Sequence, residues 1–431
     1  MFHNAVYIEI DDNLEGTDVA ADFNRKTPTK THNRMKILHT SDWHLGQMFD
    51  DTFDRTEEYR QFFSQLKDIV SKEKPDALLV SGDIFNHAYP SAAAQKLYTD
   101  NVISLKRACP TMEIIITAGN HDSASLLEAG GELWKIAGVN IIGGIGRDSD
   151  VSVHAERHII PVGGKDSPKG YVVAIPFCYP RNYPLMNEDI PTADRENVFI
   201  DALLSEVKKM NTESLPVVLM MHTTVKGCDF SDKGSIGGID TMDTGKIKGE
   251  YDYLALGHIH TPQTLGKARY CGSPIPISFS EEFTHSVSLV ELPSHGLSPI
   301  IHEEVIHPLF EVITLPKKPT DVKGTIEEIK KLSKKNAYLR IKVKCDSFIP
   351  SIEQQKIKDA VPFDSLKLCQ IVPVRENEKS ADMVNMSVQE LLGTDPVDIA
   401  ARHYKAKYGT DLPDNLKDML KSIYTATINE K

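Results

Sequence analysis

Five apolar runs, each short enough for a β-strand and each ending on an acid, an amide or an imidazole, constrain this chain more than any other feature. They are "MKILHT" leading into "SDWHLG", then "DALLVSGD", "EIIITAGNHD", "PVVLMMH" and "YDYLALGHIH". Between the first three lie two stretches of helical period. In "RTEEYRQFFSQLKDIVSKEK", Tyr59, Phe62, Phe63, Leu66, Ile69 and Val70 fall on one side; the second stretch is "SAAAQKLYTDNVISLKRAC". Strands separated by helices of this length form βαβ units with mostly parallel pairing. The other strand-like runs, "VSVHAERHII", "GYVVAIPF" and "SVSLVEL", have fewer helices between them. The expectation is an α/β fold with a mixed sheet, or a sandwich of two sheets, covered by helices.

In a parallel-type sheet the carboxyl ends of the strands share one edge, and ligands bind there. The residues at those ends are Asp42 and His44, Asp83, Asn120 and His121, His222, and His258 and His260. Each alone has an ordinary structural explanation, as a turn, a capping acid or a hydrogen-bonded histidine. Five separate strand ends carrying ligand-type residues point instead to one shared site. No cysteine takes part, which excludes a structural zinc site. Two aspartates, one amide oxygen and four imidazoles exceed what one ion needs. They suit two ions bridged by a carboxylate, an arrangement that hydrolyses phosphate esters. His121, next to the Asn120 ligand, would face the substrate, where an imidazole can steady the transition state and protonate the leaving oxygen.

The chain is 431 residues long, too long for one compact core. Residues 1–34 are polar, acidic and poorly periodic, and are expected to be a disordered extension before Met35. Residues 35–308 form the main unit. Residues 309–375 read strand, helix, strand, helix, strand. Residues 376–431 read as a linker followed by helices at "SVQELL", "DPVDIAARHYKAKY" and "PDNLKDMLKSIYTATI". Such terminal helices need something to pack on, either their own protein or a partner.

The net charge of −12 excludes a protein that is basic overall, but not a local nucleic-acid patch. Residues 315–344 hold ten Lys or Arg against three Asp or Glu. Within them "YLRIKVK" alternates, with Leu339, Ile341 and Val343 inward and Arg340, Lys342 and Lys344 outward. Such a run is either a solvated face or a phosphate-backbone patch, and in the second reading those three are the candidate DNA-phosphate contacts. The six scattered cysteines form no CxxC pair and suit a reducing cytoplasm. No apolar run approaches the roughly 20 residues of a membrane helix.

The motifs "DWH", "GDIFN", "GNHD", "MMH" and "GHIH" resemble the five-motif pattern of the calcineurin-like metallophosphoesterases. "ILHTSDWHLG", "YDYLALGHIHTPQ" and "CGSPIPISFSEE" are similar to one branch, the bacterial SbcD-type nuclease subunits. The likeness runs motif by motif over about residues 35–310. It implies a two-sheet sandwich with helices outside, a small α/β cap and C-terminal partner-binding helices. It implies a metal-dependent DNA nuclease, acting as 3′-to-5′ exonuclease on duplex ends and endonuclease on single strands or hairpins, in repair and recombination. One ion, manganese by the resemblance, would take Asp42, His44, Asp83 and His260. The second would take Asp83, Asn120, His222 and His258, and His121 would be catalytic. The partners implied are DNA, an SbcC-like ABC-type coiled-coil ATPase and a second copy of the chain, within a heterotetramer. Archaeal relatives place a histidine three residues after the bridging aspartate; here that position is Asn86 and the histidine is His87. The competing enzyme reading is a two-metal phosphoesterase for a small or protein-bound phosphate ester. A scaffold that had kept the fold and lost the chemistry would show gaps in the ligand set, and none are present.

Overall fold

The structure, a computed structural model, describes residues 34–145, 152–184, 190–229, 241–345, 348–375, 396–408 and 410–429. The expected extension at 1–34 (apart from Arg34) and the expected helix at "SVQELL" lie outside them.

The chain opens with β1 (Met35–Thr40), a hairpin of β2 (Met48–Phe49) and β3 (Phe53–Asp54), α1 (Thr56–Glu73), β4 (Ala77–Ser81), α2 (Ala92–Ala108) and β5 (Glu113–Thr117). Short helices α3 (Ala124–Leu127) and α4 (Gly131–Ile136) lead to β6 (Val139–Ile142). Next come α5 (Ser152–His158), β7 (Ile159–Val162), β8 (Gly170–Ile175), α6 (Arg195–Met210) and β9 (Val217–His222). After them run β10 (Tyr253–Gly257), β11 (Gln263–Leu265), β12 (Ala268–Tyr270), β13 (Ser286–Leu292) and β14 (Ile300–Val305). One six-stranded sheet has the order β14-β13-β1-β4-β5-β6 and the other β11-β12-β10-β9-β8-β7. β1, β4, β5 and β6 are mutually parallel, as are β8, β9, β10 and β12; the remaining pairings are antiparallel.

Side chains alternate between two buried faces. Ile37, Leu79 and Ile115 meet Val172, Ala174, Val218 and Met220 between the sheets. Leu38, Leu78, Val80 and Ile114 instead pack under α1 and α2, against Phe62, Phe63, Leu66 and Val102. Val173, Leu219, Met221 and Leu254 pack under α6, against Phe199, Ile200 and Leu203. Burial on both faces explains why the strands read as near-continuous apolar runs. It also fixes the register, because a one-residue slip would exchange the two cores.

The run "VSVHAERHII" is only half strand. Ser152–His158 is helix α5, and Ile159–Val162 alone pairs with β8. Ala155 and His158, three residues apart, share the buried side, with the His158 ring edge-on to Phe199 at 5.5 Å and Nδ1 donating to the Ala174 carbonyl (2.7 Å). Burial under α6 overrides the alternating pattern.

A three-stranded parallel sheet follows, in the order β15 (Glu311–Thr320), β16 (Ala337–Lys344), β17 (Leu366–Val374). Its crossover helices are α7 (Val322–Lys330) and α8 (Ser351–Asp359). Leu339, Ile341 and Val343 pack with Ile329, Ile349 and Ile357 on the helix side. The opposite face is not open. Tyr338 stacks on Phe49 at 3.9 Å, beside Phe279 and Phe310, and its hydroxyl donates to Glu58 (2.6 Å), itself paired with buried Arg55 (3.0 Å). Helices α9 (Pro396–Tyr408) and α10 (Asp414–Asn429) end the described chain, with Val397 buried and Leu416 and Met419 exposed.

The aromatic stack ties the small sheet to the sandwich, so its loss has a defined cost. Tyr338→Ala is expected to lower stability by about 3–5 kcal/mol and Tyr338→Phe by about 1 kcal/mol, read from urea unfolding. Equal midpoints for the two variants would contradict a stack-dominated contact.

Candidate metal centre

Parallel pairing of β1, β4 and β5, and of β9 and β10, brings the carboxyl ends of all five strands to one edge. Asp42 and His44 follow β1, Asp83 follows β4, and Asn120 and His121 follow β5. His222 ends β9, and His258 and His260 follow β10. Asp42, His44, Asp83, His222 and His258 are buried, His260 is half-buried, and Asn120 and His121 are exposed.

The backbone turns sharply to aim these groups. Asp42, His44, Asp83 and His258 all have positive φ, between 46° and 93°. Left-handed backbone at non-glycine residues costs on the order of 1–3 kcal/mol each and persists where surrounding bonds hold it. Those bonds are present. Asp42 N donates to Gly82 O (3.0 Å) and His44 N to Asp83 O (3.0 Å), while His258 N donates to the Asp42 carboxylate (3.0 Å). Gly257 is required by close approach: a Cβ there would stand 1.9 Å from Ser81 O and 2.8 Å from His222 Nδ1.

Among the described residues, three groups of side chains could each hold an ion, with ligand atoms within 4.8 Å of one another: Asp42, His44 and His260; His44, Asp83 and His121; Asp83, His222 and His258. His44 is common to the first two groups and Asp83 to the last two. Asp83 Oδ2 is 3.6 Å from His44 Nε2 and 3.3 Å from His222 Nε2, and Asp83 Oδ1 accepts from His121 N (2.9 Å).

The donor–acceptor balance tests whether these residues suit a cation. His222 Nδ1 donates to the Ser81 carbonyl (2.8 Å). In the neutral ring, Nε2 then turns a lone pair toward Asp83 Oδ2 and toward Asn120 Oδ1, 3.1 Å away. Three acceptors in contact need a positive charge among them. Burial works against charging His222, but Asp83 and Asp42 outweigh it and lift its pKa to about 9. His44 is the complementary case. Both ring nitrogens are buried with no hydrogen-bond partner, and burial lowers its pKa to about 3, so it offers a lone pair. Burial similarly lowers His258 to about 3. For Asp83 burial pushes the pKa up, but His222, His44 and His121 overcome it and hold the carboxyl well below the usual range. Hard and borderline N/O donors with orphaned lone pairs fit divalent ions.

Around these groups stand residues whose partnerships sequence reading did not show. Asp122, in the quoted "GNHD", accepts from Ile84 N (3.0 Å), Phe85 N (2.9 Å) and Gly119 N (2.8 Å), tying the Asp83 and Asn120 loops together. The Asn86 carbonyl holds His121 Nδ1 (2.9 Å), and the Asn86 side chain donates to His87 Nε2 (2.9 Å). Glu281 binds His260 Nδ1 (3.1 Å). Backbone carbonyls leave no mark in the sequence, and Glu281 is 21 positions from its histidine.

The residues expected to face DNA lie apart from one another in exposure. Arg340 is half-buried and turned onto the sandwich, 4.9 Å over the Phe279 ring. Lys342 is half-buried and Lys344 exposed.

Residues 35–262 match the family model described as calcineurin-like phosphoesterase. Residues 318–408 match one described as type 5 capsule protein repressor C-terminal domain. A relative from Rhodobacter capsulatus, named as a subunit of the SbcCD nuclease, is 34% identical over 60% of this chain and 66% of its own length, just under two thirds. The protein of the same name from Escherichia coli is 26% identical over 83% of this chain and 91% of its own. That from Bacillus subtilis is 30% identical over 60% and 66%.

Gly257→Ala is expected to weaken uptake of divalent ions by about tenfold or more, because the methyl displaces the carbonyl that orients His222. Isothermal titration with Mn²⁺ reads the effect; wild-type affinity in the variant would contradict the geometry.

Proposed function

The chain belongs to the calcineurin-like phosphoesterase family, and on that premise we propose that it is the nuclease subunit of a two-part ATPase–nuclease assembly that cuts DNA phosphodiesters. It is a phosphodiester hydrolase whose centre takes divalent ions. The observation that carries the reading is the part-buried contact of Asp83, His222 and Asn120 through acceptor atoms, which a cation resolves.

Two ions are proposed, one on Asp42, His44, Asp83 and His260, the other on Asp83, Asn120, His222 and His258, with Asp83 shared. Manganese is the proposed metal, compatible with sulfur-free donors. Bound there, the ions supply Lewis-acid charge for the phosphoryl oxygens and lower the pKa of an attacking water. The chain's own groups do the rest. His121 is held through Nδ1 by Asn86 O and through its backbone N by Asp83, and its exposed ring meets a phosphodiester entering from solvent. Its role is to steady charge on the phosphoryl group and give a proton to the leaving oxygen as the P–O bond breaks. Phe177, edge-on to His222 at 6.3 Å, screens one side of the centre.

Residues 35–308 are proposed as the nuclease unit, 309–375 as the cap and 376–431 as the linker and partner-binding segment. The exposed Leu416 and Met419 on α10 support docking on a coiled-coil ABC-type ATPase. In the cap, Lys342, Lys344 and Arg340 are the proposed DNA-phosphate contacts, Arg340 being also engaged within the chain. The relatives' names support a nuclease subunit; an ATP-gated role in DNA repair and recombination, as 3′-to-5′ exonuclease and single-strand or hairpin endonuclease, is proposed from the motif resemblance. A homodimer within a heterotetramer is the proposed assembly. None of the six cysteines is in a disulfide, and among the described residues no helix is long and apolar enough to cross a membrane. The cytoplasm, where free thiols are the rule, is the proposed compartment.

An end-labelled DNA hairpin with Mn²⁺, with and without the ATPase partner, tests the reading. Wild type should cut. His121→Ala should lose about 10²–10⁴-fold in rate while still binding metal, and Asp83→Ala should be inactive. Hydrolysis of bis-p-nitrophenyl phosphate with DNA untouched in every mixture would overturn the substrate and favour a small or protein-bound phosphate ester.

A further inference from the structure

Glu281 lies outside the proposed ligand set, in the loop between β12 and β13, yet its carboxylate reaches that set. The residue is 1% exposed. Oε1 stands 3.1 Å from His260 Nδ1, while Oε2 accepts from Ser273 Oγ (2.7 Å) and Ile277 N (3.0 Å). One carboxylate therefore closes the 273–281 loop and grips a histidine at its edge. A carboxylate at this distance accepts, so the ring proton sits on Nδ1 and the lone pair on Nε2. The His260 ring lies 5.2 Å from that of His44, in the group with Asp42.

Two residues before Glu281, the loop is gripped from the other side. Phe279 is buried with Phe49 and Tyr338. Arg340 of β16 covers its ring at 4.9 Å, donates from Nη2 to the Phe279 carbonyl (3.1 Å) and from Nε to Thr314 Oγ1 (3.2 Å). The side chain read as an outward DNA contact is also engaged with this loop. Arg340 of β16 thus holds Phe279, and two residues further along the same loop Glu281 holds His260.

We propose that Glu281 is a positioning residue that sets the tautomer and aim of His260, and that the Arg340–Phe279 clamp seats the loop carrying it, so that the small sheet tunes one half of the metal centre. This rests on the reading of His260 as a metal ligand. Partners of this kind hold a ligating imidazole in place, and their loss typically weakens metal binding about 10–100-fold. A displacement of the small sheet, by a nucleic acid or a partner, would act on the ion at Asp42, His44 and His260 before the one at His222 and His258.

The test is metal binding by the full chain without turnover. Mn²⁺ is titrated calorimetrically into wild type, Glu281→Gln, Arg340→Ala and Ser273→Ala, and the melting temperature of each metal-free protein is recorded. Glu281→Gln is expected to weaken one of two ions about 10–100-fold and leave the other within twofold. Arg340→Ala weakens the same ion by a smaller factor. Ser273→Ala, which removes one hydrogen bond to Glu281 Oε2 and keeps the backbone bond from Ser273 N to His260 O, also weakens the same ion by a smaller factor. Two ions held by Glu281→Gln as tightly as by wild type would overturn the proposal. So would a parallel loss of both ions and of melting temperature, the mark of an ordinary buried anchor. Wild-type affinities in Arg340→Ala, with one ion weakened in Glu281→Gln, overturn the clamp alone. A wild-type chain that takes up no divalent ion overturns the metal reading itself.

Discussion

The Asp83 carboxylate is the point on which the site turns. It is buried among three imidazoles, its Oδ1 bonded to the His121 backbone and its Oδ2 within 3.6 Å of both His44 and His222. An acid in this position cannot stay ionised on burial energetics alone; the positive charge around it decides. The surrounding fold meets that demand by construction. Gly82 lets the chain turn with φ of 82° immediately before Asp83, and a Cβ there would strike His222 Nδ1 at 2.2 Å. Gly119 must likewise be bare, because a Cβ would lie 2.1 Å from Asp83 Oδ1.

Beneath the carboxylate runs a polar seam between the two sheets. The Ser81 carbonyl orients His222, and the Ser81 hydroxyl meets His39 Nε2 (3.1 Å), whose Nδ1 meets the Tyr253 hydroxyl (2.9 Å). Burial holds His39 near a pKa of 3, so the seam is neutral and carries no competing charge toward the centre. Apolar side chains above and below it keep the sheets in register. The rigidity of the site thus derives from the same strand pairing that generates the core, as expected for groups mounted on strand ends rather than on long loops.

Much of this was legible in the sequence because strand ends are. A run such as "PVVLMMH" announces a covered strand and its terminal imidazole together, and parallel pairing gathers such ends without further information. The order of elements in the small sheet followed from "YLRIKVK" and its flanking helical stretches in the same way. What the pattern could not convey was partnership. Alternation placed Arg340 opposite Leu339 and Ile341, but not that Phe279 stood there to receive it. Asn86 acts through a carbonyl, and Glu281 through a loop closure, neither of which has a spacing rule. At Ser152–His158 local alternation suggested strand, and burial against Phe199 favoured helix.

The central claim is that Asp83 bridges two ions. Crystals of the full chain grown with Mn²⁺, with diffraction recorded on both sides of the manganese absorption edge, test it most directly. The account predicts two anomalous peaks roughly 3.5–4 Å apart, with Asp83 between them, His44 and His260 at one and His222 and His258 at the other. A single peak, or peaks away from Asp83, would contradict it.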